Sequence, residues 1–165
     1  MRISRLFLAT MLLSMLSIYS LAVQAADGAI KVTSIAEVEV TTLGKDGKKS
    51  VKRTTPEKAV PGSEVIFTNI FENVSNKAAS DIVINNPVPN DTTYKAGSVF
   101  GKDCAIAFSA DGGKTFGAAE NLKIKGANGQ QRNALPSEYT HIRWTYKGQL
   151  APGKFGEVGF RAVIK

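Results

Sequence analysis

The chain has 165 residues with a net charge of +7, and it contains one cysteine and one histidine. This length suits a single domain and is too short for a β-propeller. One cysteine cannot form an internal disulfide, and together with one histidine it leaves no cluster with the spacing of a zinc site. We therefore expect one domain that its core alone must stabilise, with no internal disulfide.

The N-terminus has the pattern of a signal peptide. Arg2 and Arg5 precede a mostly apolar run over 6–23, and small residues lead up to Ala25. An uncleaved membrane anchor is the alternative, because the run is nearly long enough to span a bilayer. Serine and threonine dilute the run, and no basic stop-transfer cluster follows it. The sequence predicts a signal peptide at 1–25, cleavage between Ala25 and Ala26, and a mature domain at 26–165 without a stable membrane span.

Cleavage would make the protein periplasmic or secreted. The mature chain loses two arginines, so 19 basic residues stand against 14 acidic ones and the net charge falls to +5. No cysteine directly follows the cleavage site, which argues against a lipid anchor. The expected mature protein is a modestly basic, exported domain.

The mature chain opens with an alternating segment over 29–42, which predicts a half-buried strand. A turn rich in glycine and charge follows at 43–49, and a short strand over 51–55 completes a hairpin at the edge of the domain. The residues expected to face inward are Ile30, Val32, Ala36, Val38 and Val40.

This hairpin carries a basic cluster of Lys45, Lys48, Lys49, Lys52 and Arg53. Such a cluster could bind phosphate, lipopolysaccharide or an acidic glycan. The alternative is that the lysines protect an exposed edge strand from pairing with other chains. No aromatic residue lies within the cluster, so it lacks the stacking platform that single-stranded nucleic acid needs, and we expect no nucleic-acid partner.

Two further strands are predicted over 64–72 and 82–84, the first after a Pro-Gly turn and the second before two prolines that end it. Hard oxygen ligands surround the second bend, and they make a weak calcium candidate of Asp81, Asn86 and Asp91, with Asn85 and Asn90 beside them. The alternative is that these side chains bind their own backbone, as Asn and Asp commonly do at bends.

The same stretch and a later segment carry a pattern of turn and strand residues: Pro61-Gly62, Asn73, Asn86-Pro87-Val88-Pro89, Tyr94, Gly97-Ser98 and Leu150-Ala151-Pro152-Gly153. With these positions the chain resembles, over about two thirds of its length, the bacterial extracellular domain of unknown function eleven, a conserved-repeat module. The resemblance implies an immunoglobulin-like fold on a secreted or cell-surface protein, without catalysis. The pattern occurs once in this sequence, and Asn86 stands where the family usually has aspartate.

A second motif lies at 109–116, where Ser109, Asp111, Gly113 and Thr115 fit the S-x-D-x-G-x-T-F pattern of the Asp-box turn. Asp111 can accept hydrogen bonds from the backbone amides of the turn, and glycine permits positive φ. The motif also occurs in sialidase-like propellers, which need several copies and a much longer chain. We therefore predict a structural turn.

The C-terminal part of the chain supplies more alternating strands. Cys104 shares a face with two apolar residues and is predicted to be a buried small hydrophobe, with pairing to another chain as the alternative. The segment 119–136 is expected to be largely loop. Trp144, on the strand over 141–146, is predicted to be the central aromatic residue of the core.

The sequence offers no pattern typical of catalysis. It has no phosphate-binding glycine loop, and its carboxylates are scattered. Alternation puts His141 on a polar face and Cys104 on a buried one, so a catalytic pair of the two is not expected. We expect no enzyme and no cofactor, but an all-β, immunoglobulin-like antiparallel β-sandwich of seven to nine strands. Its expected role is a non-catalytic exported structural or protein-interaction module, whose partner is another exported or cell-surface protein. The alternative is a small periplasmic protein that binds an anionic ligand or glycan through the hairpin at 45–53.

Overall fold

Antiparallel pairing dominates the computed structural model of the chain, which describes residues 30–43, 47–56 and 60–165. The predicted signal peptide and Lys45 lie outside the described residues. The strands, numbered in chain order, are β1 (Ile30–Leu43), β2 (Lys49–Thr54), β3 (Glu64–Asn73), β4 (Val83–Pro87), β5 (Thr92–Tyr94), β6 (Phe100–Gly101), β7 (Cys104–Ser109), β8 (Lys123–Lys125), β9 (Gln131–Asn133), β10 (His141–Tyr146) and β11 (Phe155–Ile164). Short 3₁₀ turns lie at Ala119–Asn121 and Pro136–Glu138.

The strands form two facing sheets and a small ribbon. The larger sheet has the order β2-β1-β3-β11-β5, with β6 added to β11, and the smaller sheet has the order β4-β10-β7. Strands β8 and β9 form the ribbon. Every strand pair in the described residues is antiparallel.

Aromatic side chains fill the space between the two sheets. Trp144 of β10 stacks on Phe160 of β11 with ring centroids 6.4 Å apart, and Phe71 of β3 meets Tyr146 edge-on at 5.6 Å. Within the larger sheet, Phe67 stacks on Phe160 at 5.2 Å, where the register pairs the two residues. Burying such rings removes about 150–250 Å² of surface each from water and so stabilises the contact between the sheets.

The predicted all-β antiparallel sandwich is confirmed, and Trp144 is fully buried as expected. The described residues contain eleven strands, and the number of strands with five or more residues, seven, falls within the expected seven to nine. The difference arises from β5, β6, β8 and β9, each of two or three residues, which are too short to produce an alternating pattern.

The predicted half-burial of β1 holds only in part: Ile30, Ala36 and Val38 are partly buried, but the inward positions predicted for Val32 and Val40 are wrong. Val32 is 45% exposed and Val40 is 43% exposed, and of this strand only Ile30 packs against the core. The pairing of β1 with β3 ends at Glu37, which lies opposite Ile66, and from Val38 onward β1 pairs with β2. All six residues of β2 are likewise exposed, and none of them belongs to the core cluster.

Cys104 lies at the margin of the core, half-buried and packed against it together with Ile106. Burial, with a smaller contribution from the nearby Asp103 carboxylate, raises the pKa of the Cys104 thiol. As the only cysteine of the chain, Cys104 has no internal disulfide partner. No helix with the length and apolar character of a membrane span occurs in the part of the chain that the structure describes.

Candidate functional site

Most of the exposed large apolar side chains among the described residues lie on or beside the first hairpin. Among the described residues, ten large apolar side chains are exposed, and six of them belong to β1, β2 and the segment that follows β2. Leu43 and Val51 are the most exposed of the six, at 70% and 63%. The six residues are Val32, Ile35, Val40, Leu43, Val51 and Val60.

The predicted basic cluster lies on this hairpin. All six residues of β2 are exposed, and Lys48 directly precedes the strand. Because side chains alternate along a strand, Lys49 and Arg53 share one face with Val51, whereas Lys52 lies on the other face. The structure therefore distributes the predicted cations over both faces of the hairpin and does not direct them toward one point.

A cleft of about 610 Å³ lies where β1 leaves β3 and joins β2. Its apolar lining includes Val38, Val40, Val51 and Val60. Its charged lining consists of Glu39, Glu64 and Arg161. The cleft thus combines apolar and charged side chains at the base of the hairpin.

The charged residues of the cleft belong to an ion-pair network that links the hairpin to the sandwich. Arg161 of β11 donates to Glu39 of β1 at 2.9 Å and 3.0 Å, and to Glu64 of β3 at 2.7 Å. Lys95 also donates to Glu64, at 2.5 Å, and Arg53 of β2 lies 3.5 Å from Glu39.

These contacts change the acidity of both carboxyl groups. The hydrogen bond from Lys95 and then that from Arg161 lower the pKa of Glu64, and hydrogen bonding from Arg161 lowers the pKa of Glu39. The two carboxylates in turn raise the pKa of Arg161. Both acids are therefore ionised at neutral pH, and the network holds the base of the hairpin against β3 and β11 through charge-assisted hydrogen bonds.

The Asp-box motif forms a tight turn after β7. Asp111 accepts hydrogen bonds from the backbone amides of Lys114 and Thr115, at 3.1 Å and 3.0 Å, and from the Thr115 hydroxyl at 2.6 Å. The Ser109 hydroxyl donates to Asp111 at 2.7 Å and accepts from the amide of Gly113. The hydrogen bonds from Thr115, followed by that from Ser109, lower the pKa of Asp111 far below its ordinary value. The carboxylate is thus occupied by its own turn.

Phe116 lies at the end of this turn, against the outer face of the smaller sheet. The guanidinium of Arg143 sits 3.7 Å above the centre of its ring, which is a cation–π contact. Arg143 also donates to the side chain of Asn85, at 2.8 Å. The turn is therefore fastened to β10 and, through Arg143, to β4.

The calcium candidates do not form an evident metal site. Asp81 is an exposed residue with φ of 54° that accepts from the Ser80 hydroxyl, Asn86 lies opposite Ile142 in the smaller sheet, and the backbone carbonyl of Asp91 accepts from Lys165. No group of three or more His, Cys, Asp or Glu side chains that could hold a metal occurs in the described residues.

His141 and Cys104 lie far apart along the same pair of strands. The register places His141 opposite Ser109 and Cys104 opposite Tyr146, at the two ends of the β7 and β10 pairing. His141 instead meets the hydroxyl of Thr140, 3.2 Å from its Nδ1. The structure therefore does not bring this thiol and this imidazole together.

Sequence reasoning missed the organising role of Asn73. This fully buried side chain donates to the carbonyls of Lys77 at 2.6 Å and Leu150 at 2.7 Å, and it accepts from the amide and hydroxyl of Ser75. All of its hydrogen-bonding capacity is thereby used to join the turn after β3 to the segment before β11. The signals were its polar character at the end of a predicted strand and its place among the positions that match the repeat module, and neither indicated burial.

Comparison of the chain with protein-family models, with curated proteins and with solved structures gave no match.

Proposed function

We propose that this protein is an exported, non-catalytic interaction module that binds another exported or cell-surface protein through its first hairpin. The observation that carries the proposal is the set of exposed apolar side chains on β1 and β2, of which Ile35, Leu43 and Val51 share one face of the hairpin. Exposed apolar clusters of this kind are typical of protein-binding sites, because their burial against a partner removes apolar surface from water. The adjoining cleft and its ion-pair network give a partner polar groups to contact as well.

The rest of the sandwich supports this assignment by contrast. Its inward side chains, including Trp144, Phe160 and Val158, are fully buried, so the exposed face of β1 is not part of a generally loose core. The network around Arg161 also fixes the base of the hairpin to the body. A surface that is both exposed and anchored suits binding, because little conformational entropy is lost when a partner binds to it.

Binding of an anionic ligand or glycan through 45–53 is the second candidate. The exposure of Lys49 and Lys52 favours it. Their positions on opposite faces of β2 count against a compact anion, which would meet only one of the two faces. Protein binding therefore accounts for more of the surface than anion binding does.

Site-specific photocrosslinking in the source cells tests the proposed function. A photoreactive amino acid at Val51 should give one adduct of defined mass with an exported protein. The control is the same probe at Val74, an exposed valine (54%) in the turn after β3. Adducts at neither position, or equally at both, would contradict binding through the hairpin.

Export itself needs a separate measurement. Mass spectrometry of the exported protein should give an N-terminus at Ala26. An intact Met1 in the membrane fraction would contradict cleavage of the proposed signal peptide.

A further inference from the structure

We propose that the outer edge of β2 accepts an acidic, extended segment of the partner as an added antiparallel strand. This inference rests on the proposed function, and it specifies the chemistry of the segment that the hairpin binds.

The edge of β2 is regular and free. In the described residues β2 pairs with no strand except β1, and the six residue pairs run from Lys49 opposite Leu43 to Thr54 opposite Val38 without a skipped residue. The strand contains no proline, and no bulge interrupts its register. Such an edge offers backbone N–H and C=O groups to another strand, which is how many domains bind extended peptides.

The side chains of β2 predict the composition of the added strand. Lys49, Val51 and Arg53 lie on one face, so a segment paired beside them would place two acidic residues on either side of an apolar one. Lys52 lies on the other face and would take a third acidic residue there. Opposite charges directly across a sheet stabilise the pairing, whereas like charges destabilise it. An acidic segment with one central apolar residue therefore matches both faces of this edge.

The same charges disfavour a second copy of this chain as the occupant. If β2 paired with the β2 strand of another copy, lysines and arginine of one strand would lie beside those of the other on both faces. A strand that runs along the edge also meets cations on both faces at once, which a compact anion cannot do. An acidic extended segment can pair with the free backbone groups of β2, place carboxylates beside its cations and cover the side chain of Val51.

Fluorescence anisotropy at low ionic strength with a synthetic capped peptide tests the inference. The peptide carries glutamates at the positions opposite Lys49, Lys52 and Arg53, a valine opposite Val51 and threonine elsewhere. A second probe has the same sequence with its edge-facing amides N-methylated, which keeps the charge and removes the backbone donors. The first peptide should bind and the methylated one should not.

Two protein variants with equal loss of charge provide the matched comparison. Lys49→Thr/Lys52→Thr should weaken peptide binding about tenfold, because two cross-strand charge pairs are lost. Lys123→Thr/Lys125→Thr, which removes two exposed lysines from β8, should leave the affinity within about twofold. Circular dichroism of both variants checks that the fold is retained.

Three results would overturn the inference. Equal binding of the methylated peptide would show that charge alone is recognised, as for a polyanion. Absence of peptide binding, with faster self-association of Lys49→Thr/Lys52→Thr, would show that the lysines only guard the edge. Dimerisation of the unaltered protein through β2 would identify a second copy as the occupant. If a cellular adduct forms at Val51 but the peptide does not bind, the acidic strand is contradicted and the proposed function stands. If no adduct forms at Val51 in cells, the proposed function itself is contradicted.

Discussion

The indole N–H of Trp144 donates to the backbone carbonyl of Phe100 at 2.9 Å, in the interior of the sandwich. Trp144 belongs to the smaller sheet, and Phe100 belongs to β6, which pairs with β11 of the larger sheet. The side chain that fills the centre of the core therefore also joins the two sheets by a hydrogen bond. Gly101 makes this approach possible, because a Cβ at that position would lie 2.9 Å from the Trp144 ring.

Replacement of Trp144 should therefore remove both packing and a hydrogen bond. Trp144→Ala is expected to lower the free energy of unfolding by about 3–5 kcal/mol, whereas Trp144→Phe, which keeps an aromatic ring and loses the N–H, should cost less. Urea unfolding followed by circular dichroism measures both changes. The native protein should also show blue-shifted tryptophan emission that iodide does not quench. Ready quenching in the native state would contradict this position of Trp144.

Gly159 should not tolerate a side chain. A Cβ there would overlap the carbonyl oxygen of Phe67 and would lie 2.5 Å from the Phe100 ring, so a backbone atom would have to shift. We expect Gly159→Ala to cost about 1–3 kcal/mol or more. Gly117→Ala is the matched control, because its nearest neighbour would be 4.0 Å away, in ordinary contact with Leu122. Thermal unfolding of the two variants should differ clearly, and similar melting temperatures would contradict the close approach of β6 to β11.

Asn73→Asp should destabilise the protein in a pH-dependent way. The substitution places a carboxylate oxygen where Nδ2 now donates to the carbonyls of Lys77 and Leu150. We expect a cost of about 3 kcal/mol at neutral pH, since a buried charge would face two acceptors. This environment raises the folded-state pKa of the new carboxyl above its unfolded value. The charge-dependent part of the penalty is therefore absent at low pH and grows as the pH rises through the unfolded-state pKa and on to the folded-state one. The loss of one of the two hydrogen bonds remains at every pH.

Urea unfolding of Asn73→Asp at several pH values tests this dependence. Asn121→Asp, at an exposed position, provides the control and should show little change at neutral pH. A cost for Asn73→Asp that does not vary with pH would indicate disrupted packing and would contradict the electrostatic argument.

The turn at Asp111 should contribute stability that acid removes. Its folded-state pKa lies well below the ordinary value of 3.8, so the carboxylate stabilises the fold fully at pH values above the unfolded-state pKa. That contribution is lost as the pH falls below about 4 toward the folded-state pKa. Hydrogen exchange at neutral pH offers a local measurement, because Asp111→Asn should accelerate exchange of the Lys114 and Thr115 amides. Asp91→Asn is the control, and unchanged exchange in Asp111→Asn would contradict the hydrogen bonds of this turn.

The sequence predicts well those features that depend on residues close together in the chain. Alternation identifies β10 and β11, whose inward residues such as Trp144 and Phe160 are buried, whereas β3 is buried on both faces and is indicated by the Pro-Gly turn before it. The Asp111 turn is contained within seven residues. The exposure of β1 could not be predicted in this way. An alternating pattern shows that the two faces of a strand differ in polarity, but it does not show whether a second sheet covers the apolar face. The pairing of Glu39 with Arg161 joins residues 122 positions apart, so no local pattern could indicate it.

The burial of Asn73 also determines where a sugar could be attached. Asn73-Val74-Ser75 and Asn90-Asp91-Thr92 both have the acceptor pattern for N-linked glycosylation. In the folded protein the Nδ2 of Asn73 is enclosed and donates to two carbonyls, whereas Asn90 is exposed. An oligosaccharide on Asn73 would have to be added before folding and would then prevent the turn after β3 from closing. A glycosyl-transferring enzyme that acts on the folded chain could therefore reach Asn90 but not Asn73.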